Sequence, residues 1–295
     1  MLAFNTDWNG ESKNTQEIEA MLRELAAAGI THIHWCHEWS GDYLYSRYEM
    51  IQLRNWLDRY GLIAKGVHAS EGHWADDGLD ACSRPNCKDF TSSDPLNRLA
   101  GLELLKNRVD LAAALGTDLI VLHLHPPFKH FEVEPDAREG FYRTVFQTFD
   151  ELEPYCRARR IKVCLENLLD VPNEYQMDQF DRIFDRYGAD YMGFCFDSGH
   201  ALLSKRTAPL ELPERYWMRM YFVHLSDNMG DYDAHALPFE GCFDWEGLAR
   251  LIARSPYQLP INLEVCRNDD NRAFLQKALE CGARLEQMVL SCRRE

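Results

Sequence analysis

The sequence predicts an α/β protein, a single (β/α)8 barrel of the TIM type spanning residues 1–295. Three observations predict it. Short apolar runs alternate with amphipathic helical stretches from one end to the other, which means parallel strands joined by crossovers. Apolar side chains fill one parity of these runs, and polar ones collect at their carboxyl ends. No run is followed by a glycine-rich dinucleotide loop, which favours a closed barrel over an open doubly wound sheet.

The expected strands are 2–6, 31–36, 62–69, 118–125, 161–167, 191–197, 220–227 and 260–265. Helical periodicity covers 15–29, 48–61, 96–116, 137–160, 179–188 and 245–255, with a closing helix from about Asn271. Gly29, Gly61, Gly116 and Gly188 stand where left-handed helix terminators are expected. Ile120, Leu122 and Leu124 take the outward parity of the fourth strand, so His123 and His125 point inwards. Val163 and Leu165 set Glu166 inward in the same way, and Leu263 and Val265 do so for Glu264. The segments 70–95, 126–135 and 227–243 read as loops over one face, and no linker or repeat divides the chain.

With 46% hydrophobic and 27% charged residues, the chain has the balance of a globular protein with a large core. A net charge of −15 argues against broad attraction to nucleic acid or to an anionic membrane. The start MLAFNTDWNGES lacks the basic and apolar segments of a secretory signal, and no stretch is long and apolar enough to span a bilayer. Cys36, Cys164, Cys195, Cys266 and Cys281 fall in apparent strands and helices, as expected of reduced core thiols in a cytoplasmic enzyme. Cys82 and Cys87, in CSRPNC, form the one pair with a metal or redox look, and no second pair stands near them.

Active sites of such barrels assemble at the carboxyl ends of the strands. Here strand after strand ends in a metal-capable residue: His68, then His123 and His125, Glu166, Asp197, His224 and Glu264. Inward carboxylates left unpaired would cost several kcal/mol each, and a divalent cation removes that cost. Asp197-Ser-Gly-His200 adds an imidazole just past the sixth strand, and Asp233-Ala-His235 adds two donors from the following loop. A single histidine near a strand end is usually an ordinary polar residue; nine metal-capable residues besides His125, in order over six strand ends, are not.

At these residues the sequence resembles the xylose isomerase-like barrel superfamily, which holds sugar isomerases and epimerases and also the endonuclease IV type of abasic-site nuclease. The matching stretches are VCLEN, CFDSGHALL, FVHLSDNMGDYDAHALPFEGCFDW and NLEV. The resemblance implies one divalent metal (Mn, Co, Mg or Zn) on Glu166, Asp197, His224 and Glu264. It also implies that Glu166 and Glu264 move the substrate's proton through a metal-stabilised enediolate, with His200 touching the sugar. The nuclease's extra zinc ligands have counterparts in His68, His123, His200, Asp233 and His235. A multi-zinc phosphodiesterase is therefore the alternative, and a keto-sugar dehydratase or lyase is another use of the same groups. Against the nuclease stand the segment after His68, which does not match its loop, and the lack of a basic segment with aromatic wedges.

The partner expected is thus a small carbohydrate, unphosphorylated because no phosphate-binding loop is visible, and the resemblance makes a homo-oligomer the expected assembly. Trp8, Trp39 and Trp74 lie where a sugar pocket would have walls, whereas Trp35 has core parity. His34 and His125 face inwards and are expected to contact substrate. His34 stands where related epimerases often carry a glutamate, a departure that bears on substrate identity.

Overall fold

The computed structural model describes residues 1–10, 14–39, 41–69, 88–169, 171–203, 208–267 and 270–294, so Trp74, Cys82 and Cys87 lie outside the described residues. The strands are β1 (Ala3–Asn5), β2 (His32–Trp35), β3 (Ile63–His68), β4 (Leu119–Leu122), β5 (Lys162–Glu166), β6 (Met192–Asp197), β7 (Met220–His224) and β8 (Asn262–Leu263). Around them run α1 (Thr15–Ala28), α2 (Arg47–Tyr60), α3 (Pro95–Leu115), α4 (Phe128–Val133), α5 (Ala137–Arg159), α6 (Asn173–Arg186), α7 (Ser198–Leu203), α8 (Glu211–Tyr216), α9 (Trp245–Arg254) and α10 (Asn271–Cys292). All strand pairs are parallel, in the order β7-β6-β5-β4-β3-β2-β1-β8. A parallel bridge between Leu225 and Leu263, with Glu264 N–H donating to the Leu225 carbonyl at 3.1 Å, joins β7 to β8. This is the (β/α)8 barrel that the alternation predicts.

Helix starts are encoded as side chains that accept the unpaired N–H groups of a first turn. Asn14 Oδ1 takes Gln16 and Glu17 N–H, both at 3.0 Å, to open α1. Ser46 and Glu49 exchange bonds in a capping box at α2, and Asp94 caps α3 ahead of Pro95. Gly29, Gly61 and Gly116 end these three helices at φ 99°, 67° and 82°. Gly188 does not act this way, because α6 leaves through an extended Tyr187 at φ −112°.

Two further expectations change. The stretch 126–135 is not all loop, since it contains α4. Helix α6 begins at Asn173, six residues before the apolar periodicity, because its first buried side chains are amides. Gln176 Nε2 donates to the Val171 carbonyl at 2.8 Å, and Gln179 Nε2 to that of Leu124 at 3.1 Å. A hydrophobic period cannot register a face that buries hydrogen-bonded amides.

The parity argument places the two cores. Ile120, Leu122, Leu124, Val163 and Leu165 belong to the large layer between barrel and helices, while Leu119, Val121, Cys164, Cys195 and Phe222 fill the barrel's inside. Cys36, Cys164 and Cys195 are buried free thiols, but Cys266 is exposed and Cys281 only half-buried. Above the inner layer the inward residues are polar, and there the candidate site begins. Among the described residues no helix is long and apolar enough to cross a membrane.

Candidate metal and substrate site

Pairs of polar side chains extend the strand ends and aim the functional groups. Asn167, just past β5, accepts from Asp197 N–H at 2.8 Å and donates to the Asp197 carbonyl at 2.9 Å, fixing the ends of β5 and β6 together. Ser198 Oγ donates to the Ser226 carbonyl at 2.7 Å and accepts from its N–H at 3.1 Å, which ties the start of α7 to the end of β7. Gly199 lets these segments meet, since a Cβ there would lie 2.6 Å from Ser226 Oγ and 3.0 Å from Asp233 Oδ1. Asp227 organises the loop beyond β7, accepting from Phe239 N–H, Phe243 N–H and Trp245 Nε1–H at 3.0, 3.2 and 2.9 Å. The motif Asp197-Ser-Gly-His200 and the loop carrying Asp233 and His235 are therefore parts of one hydrogen-bonded frame.

At its centre, donor atoms of Glu166, Asp197, His224 and Glu264 all lie within 4.8 Å of one another. His224 Nδ1 is 3.0 Å from Glu166 Oε2 and 2.9 Å from Glu264 Oε2. Neither contact has hydrogen-bond geometry, and His224 Nδ1, both Glu166 carboxylate oxygens and Asp197 Oδ2 are buried without a hydrogen-bond partner. Burial opposes ionisation of Glu166, but His224 and His123 outweigh it and hold its carboxyl well below the usual range. Asp197 goes the other way: burial, with Glu166, Glu264 and Asp233 beside it, lifts its carboxyl to about 7.

The remaining expected donors gather around this group. His68 and His123 lie 3.6 and 3.3 Å from Glu166 Oε2, and His200 Nδ1 lies 3.4 Å from Glu166 Oε1. Asp233 Oδ2 is 2.9 Å from His235 Nε2 and 3.5 Å from His200 Nε2. Burial works against charge on His200, but Asp197 and Asp233 raise it to about 9; the bond to Asp233 likewise carries His235 up to about 11. His235 holds a left-handed backbone, φ 43°, an uncommon conformation for a residue with a side chain. Nδ1 of His68, His200 and His235 each lies within hydrogen-bond reach of a backbone carbonyl, at 3.0 Å from Ala69, 2.8 Å from Asn167 and 3.2 Å from Glu264. Donation from those nitrogens aims Nε2 of each ring at a carboxylate of the cluster, Glu166 for His68 and Asp233 for His200 and His235, the arrangement that orients a ligating imidazole.

A cavity of about 480 Å³ opens over the cluster, lined by Trp39, His68, His123, His125, Glu166, His200, Asp233, His235 and Glu264 among the residues the sequence singled out. Trp39 packs on His68 and His123 with ring centroids 4.9 and 5.3 Å apart. Asp197 and His224 lie beneath the cavity floor, fully buried. Two expected substrate contacts lie elsewhere. Trp8 is in the outer core, stacked on Phe274 of α10 at 5.9 Å, because the turn after β1 sends its side chain towards the helices. His34 does face inwards, but one layer too deep: it is fully buried with Nε2 3.0 Å from His224 Nε2. Parity fixes the face of a strand, not the height along it. Asn5, Asp7, Leu168 and Leu169 line the cavity without having been singled out, and Cys266, expected as a core thiol, lines it too. The signal for Asp7 was available, since Asn-Thr-Asp is a polar step past the first strand like those past the others.

A family description reading "Xylose isomerase-like TIM barrel" matches residues 22–285. The chain belongs to that family. Uncharacterized protein y4fM of Sinorhizobium fredii (strain NBRC 101917 / NGR234) is 34% identical over 284 residues, covering 94% of this chain and 91% of that protein. Solved structures share this xylose isomerase-like barrel at low identity. A D-tagatose 3-epimerase-like protein superposes with a TM-score of 0.69 at 17% identity, over 98% of this chain and 99% of that one. An L-ribulose 3-epimerase gives 0.69 at 14% identity, over 99% and 95%. The D-allulose 3-epimerase of Methylomonas sp., in complex with D-allulose, gives 0.68 at 16%, over 95% and 94%. On chemical grounds the central four residues of the barrel fit a divalent cation: three carboxylates and an imidazole, with bare buried atoms converging on one space.

Proposed function

We propose that this single-domain barrel is a divalent-metal-dependent enzyme that isomerises or epimerises a sugar or keto-sugar by moving a proton on carbon beside a carbonyl. The observation that carries the reading is the convergence of Glu166 and Glu264, from β5 and β8, on His224 Nδ1 at the base of a cavity of small-molecule size. Glu166, Asp197, His224 and Glu264 would hold the metal, Mn, Co, Mg or Zn, as four donors. The cation, when bound, supplies positive charge where negative charge develops on the substrate's oxygens.

The chain's own groups then have distinct tasks. For epimerisation, one glutamate takes the carbon-bound proton and the other returns one from the other side; for isomerisation, one glutamate moves it to the neighbouring carbon. His125 and His200 offer ring nitrogens to substrate hydroxyls, and Trp39 supplies an apolar wall against one sugar face. Leu168 and Leu169 add apolar lining to the same cavity. The names of three solved relatives, a D-tagatose 3-epimerase-like protein, an L-ribulose 3-epimerase and a D-allulose 3-epimerase, support the substrate class.

A second reading, a multi-metal phosphodiesterase, is favoured by one observation: His68, His123 and Glu166 form a further group of donors within 4.8 Å. His200, Asp233 and His235 adjoin it. Deuterium wash-in from heavy water, followed by NMR over a panel of ketoses and aldoses with each metal added, tests the leading reading. Label at carbon is expected for wild type, and Glu264→Gln is expected to lose it by at least about 100-fold. Wild-type wash-in by Glu264→Gln rules out the two-glutamate scheme. Three tightly held zincs, with hydrolysis of a phosphodiester and no wash-in, would establish the second reading instead.

A further inference from the structure

The cavity contains a carboxyl group that the metal cluster does not use. Asp7, two residues past the end of β1, lines the cavity beside Glu264 and is partly accessible from it. Among the described residues it enters no group of three or more donors close enough to share an ion. Its orientation is fixed by a chain of bonds with one chemical solution. Val265 N–H donates to Asn5 Oδ1 at 3.1 Å, so the other end of that side chain is the NH2. The NH2 donates to the Val265 carbonyl at 3.1 Å and to Asp7 Oδ1 at 2.7 Å. Asp7 Oδ1 is thereby an acceptor, and any proton on this carboxyl sits on Oδ2.

Epimerisation beside a carbonyl needs a base and an acid at carbon, and every oxygen keeps its own proton. Carbonyl migration needs more: one hydroxyl must lose its proton and the neighbouring carbonyl oxygen must gain one. We propose that Asp7 is a catalytic residue that carries this proton between adjacent substrate oxygens, so that the reaction is a ketose–aldose isomerisation. The inference rests on the proposed function and narrows it.

The step balances within the site. A glutamate removes the proton from the hydroxyl-bearing carbon beside the carbonyl; the C–H pair becomes a C=C bond and the carbonyl π pair moves onto oxygen. Asp7 Oδ2 takes the proton of the neighbouring hydroxyl, whose O–H pair becomes the new C=O bond, and gives that proton to the former carbonyl oxygen. The C=C pair takes the proton back from the glutamate at the former carbonyl carbon. Asp7 and the glutamate end as they began, and no outside oxidant or reductant enters.

Asp7→Asn is the decisive variant, because an asparagine can keep the bond from Asn5 while placing an NH2 where Oδ2 stands. In heavy water, with the manganese-loaded enzyme and the ketose panel, wild type is expected to form an aldose carrying deuterium at carbon. In Asp7→Asn, aldose formation should fall by about 100-fold or more, whereas deuterium wash-in into the remaining ketose falls by less than about tenfold. Asp7→Glu should restore part of the aldose formation, and bound manganese per chain should match wild type in both variants. Aldose formation at the wild-type rate by Asp7→Asn overturns the role of Asp7, and so does a wild-type product that is only a 3-epimer or a dehydrated sugar. With aldose formation unchanged in Asp7→Asn, or a 3-epimer as the product, wash-in still stands and the proposed function survives; a product that is only a dehydrated sugar overturns the proposed function as well. Absence of wash-in from any sugar by wild type overturns the proposed function and this inference together.

Discussion

Asp197→Asn should change the stability of the metal-free and metal-loaded protein in opposite directions. Asp197 is fully buried, and its carboxyl is raised from 3.8 to about 7 by burial and by the carboxylates of Glu166, Glu264 and Asp233. An acid whose folded value lies above its unfolded value binds protons more tightly in the native state, so stability is lost as pH rises from about 4 to about 7. A shift of about 3 units corresponds to about 4 kcal/mol, present in full above pH 7 and absent below pH 4. Asparagine carries no such penalty. It keeps an oxygen for His200 N–H, which bonds Asp197 Oδ1 at 2.6 Å, and it turns an NH2 towards the acceptors around Oδ2. In chelator at pH 8, Asp197→Asn should therefore be the more stable protein by about 4 kcal/mol, or on the order of 8 °C in Tm. With manganese added the order should reverse, because a lost carboxylate donor weakens binding and with it the stabilisation by mass action. Urea denaturation at pH 4.5 and pH 8, with chelator and with manganese, reads all four corners. Equal stability of the two chelated proteins at pH 8, or equal manganese retention, would refute the reasoning.

Two other perturbations probe the surroundings. His34→Phe removes the ring whose Nε2 meets His224 Nε2 at 3.0 Å, leaving the ligand's orientation unsupported. Metal affinity, read by competition with a chelating dye, should fall by about 10- to 100-fold with the circular dichroism unchanged. Lys65→Met acts at the opposite end of the barrel. Burial lowers the Lys65 ammonium from 10.5 to about 8, so the charged form is disfavoured in the native state. That cost, roughly 3 kcal/mol, is present below pH 8 and fades as pH rises to about 10.5. The methionine variant should be the more stable one at pH 7 by up to that amount, with the difference closing by pH 10.5, as read by urea titration at both values.

The barrel was legible because its cause is local and repeated. Eight apolar runs with one outward parity, each separated by a helical period, admit few arrangements, and all eight strands fall where those runs lie. The donors Glu166, Asp197, His224 and Glu264 were legible for the same reason, since parity and position at a strand end put each on the inner face near the top. Helix α6 was read short because amides such as Gln176, with no hydrophobic period, cover its buried face.

Height and neighbours needed the tertiary structure. His34 and His224 share a parity, but the register shift between Ile33 and His34 and the packing of Phe222 determine that His34 sits below the cavity and supports its neighbour. Trp8 and Asp7 are adjacent in sequence, yet the turn after β1 sends one ring into the helix layer and leaves one carboxyl in the cavity. Sequence by itself determined which faces carry charge, because alternation along a strand is a property of the backbone. Which charges meet, and at what distance, was decided only by closing the sheet, because Glu166 and Glu264 become neighbours through three-dimensional contacts that no local spacing encodes.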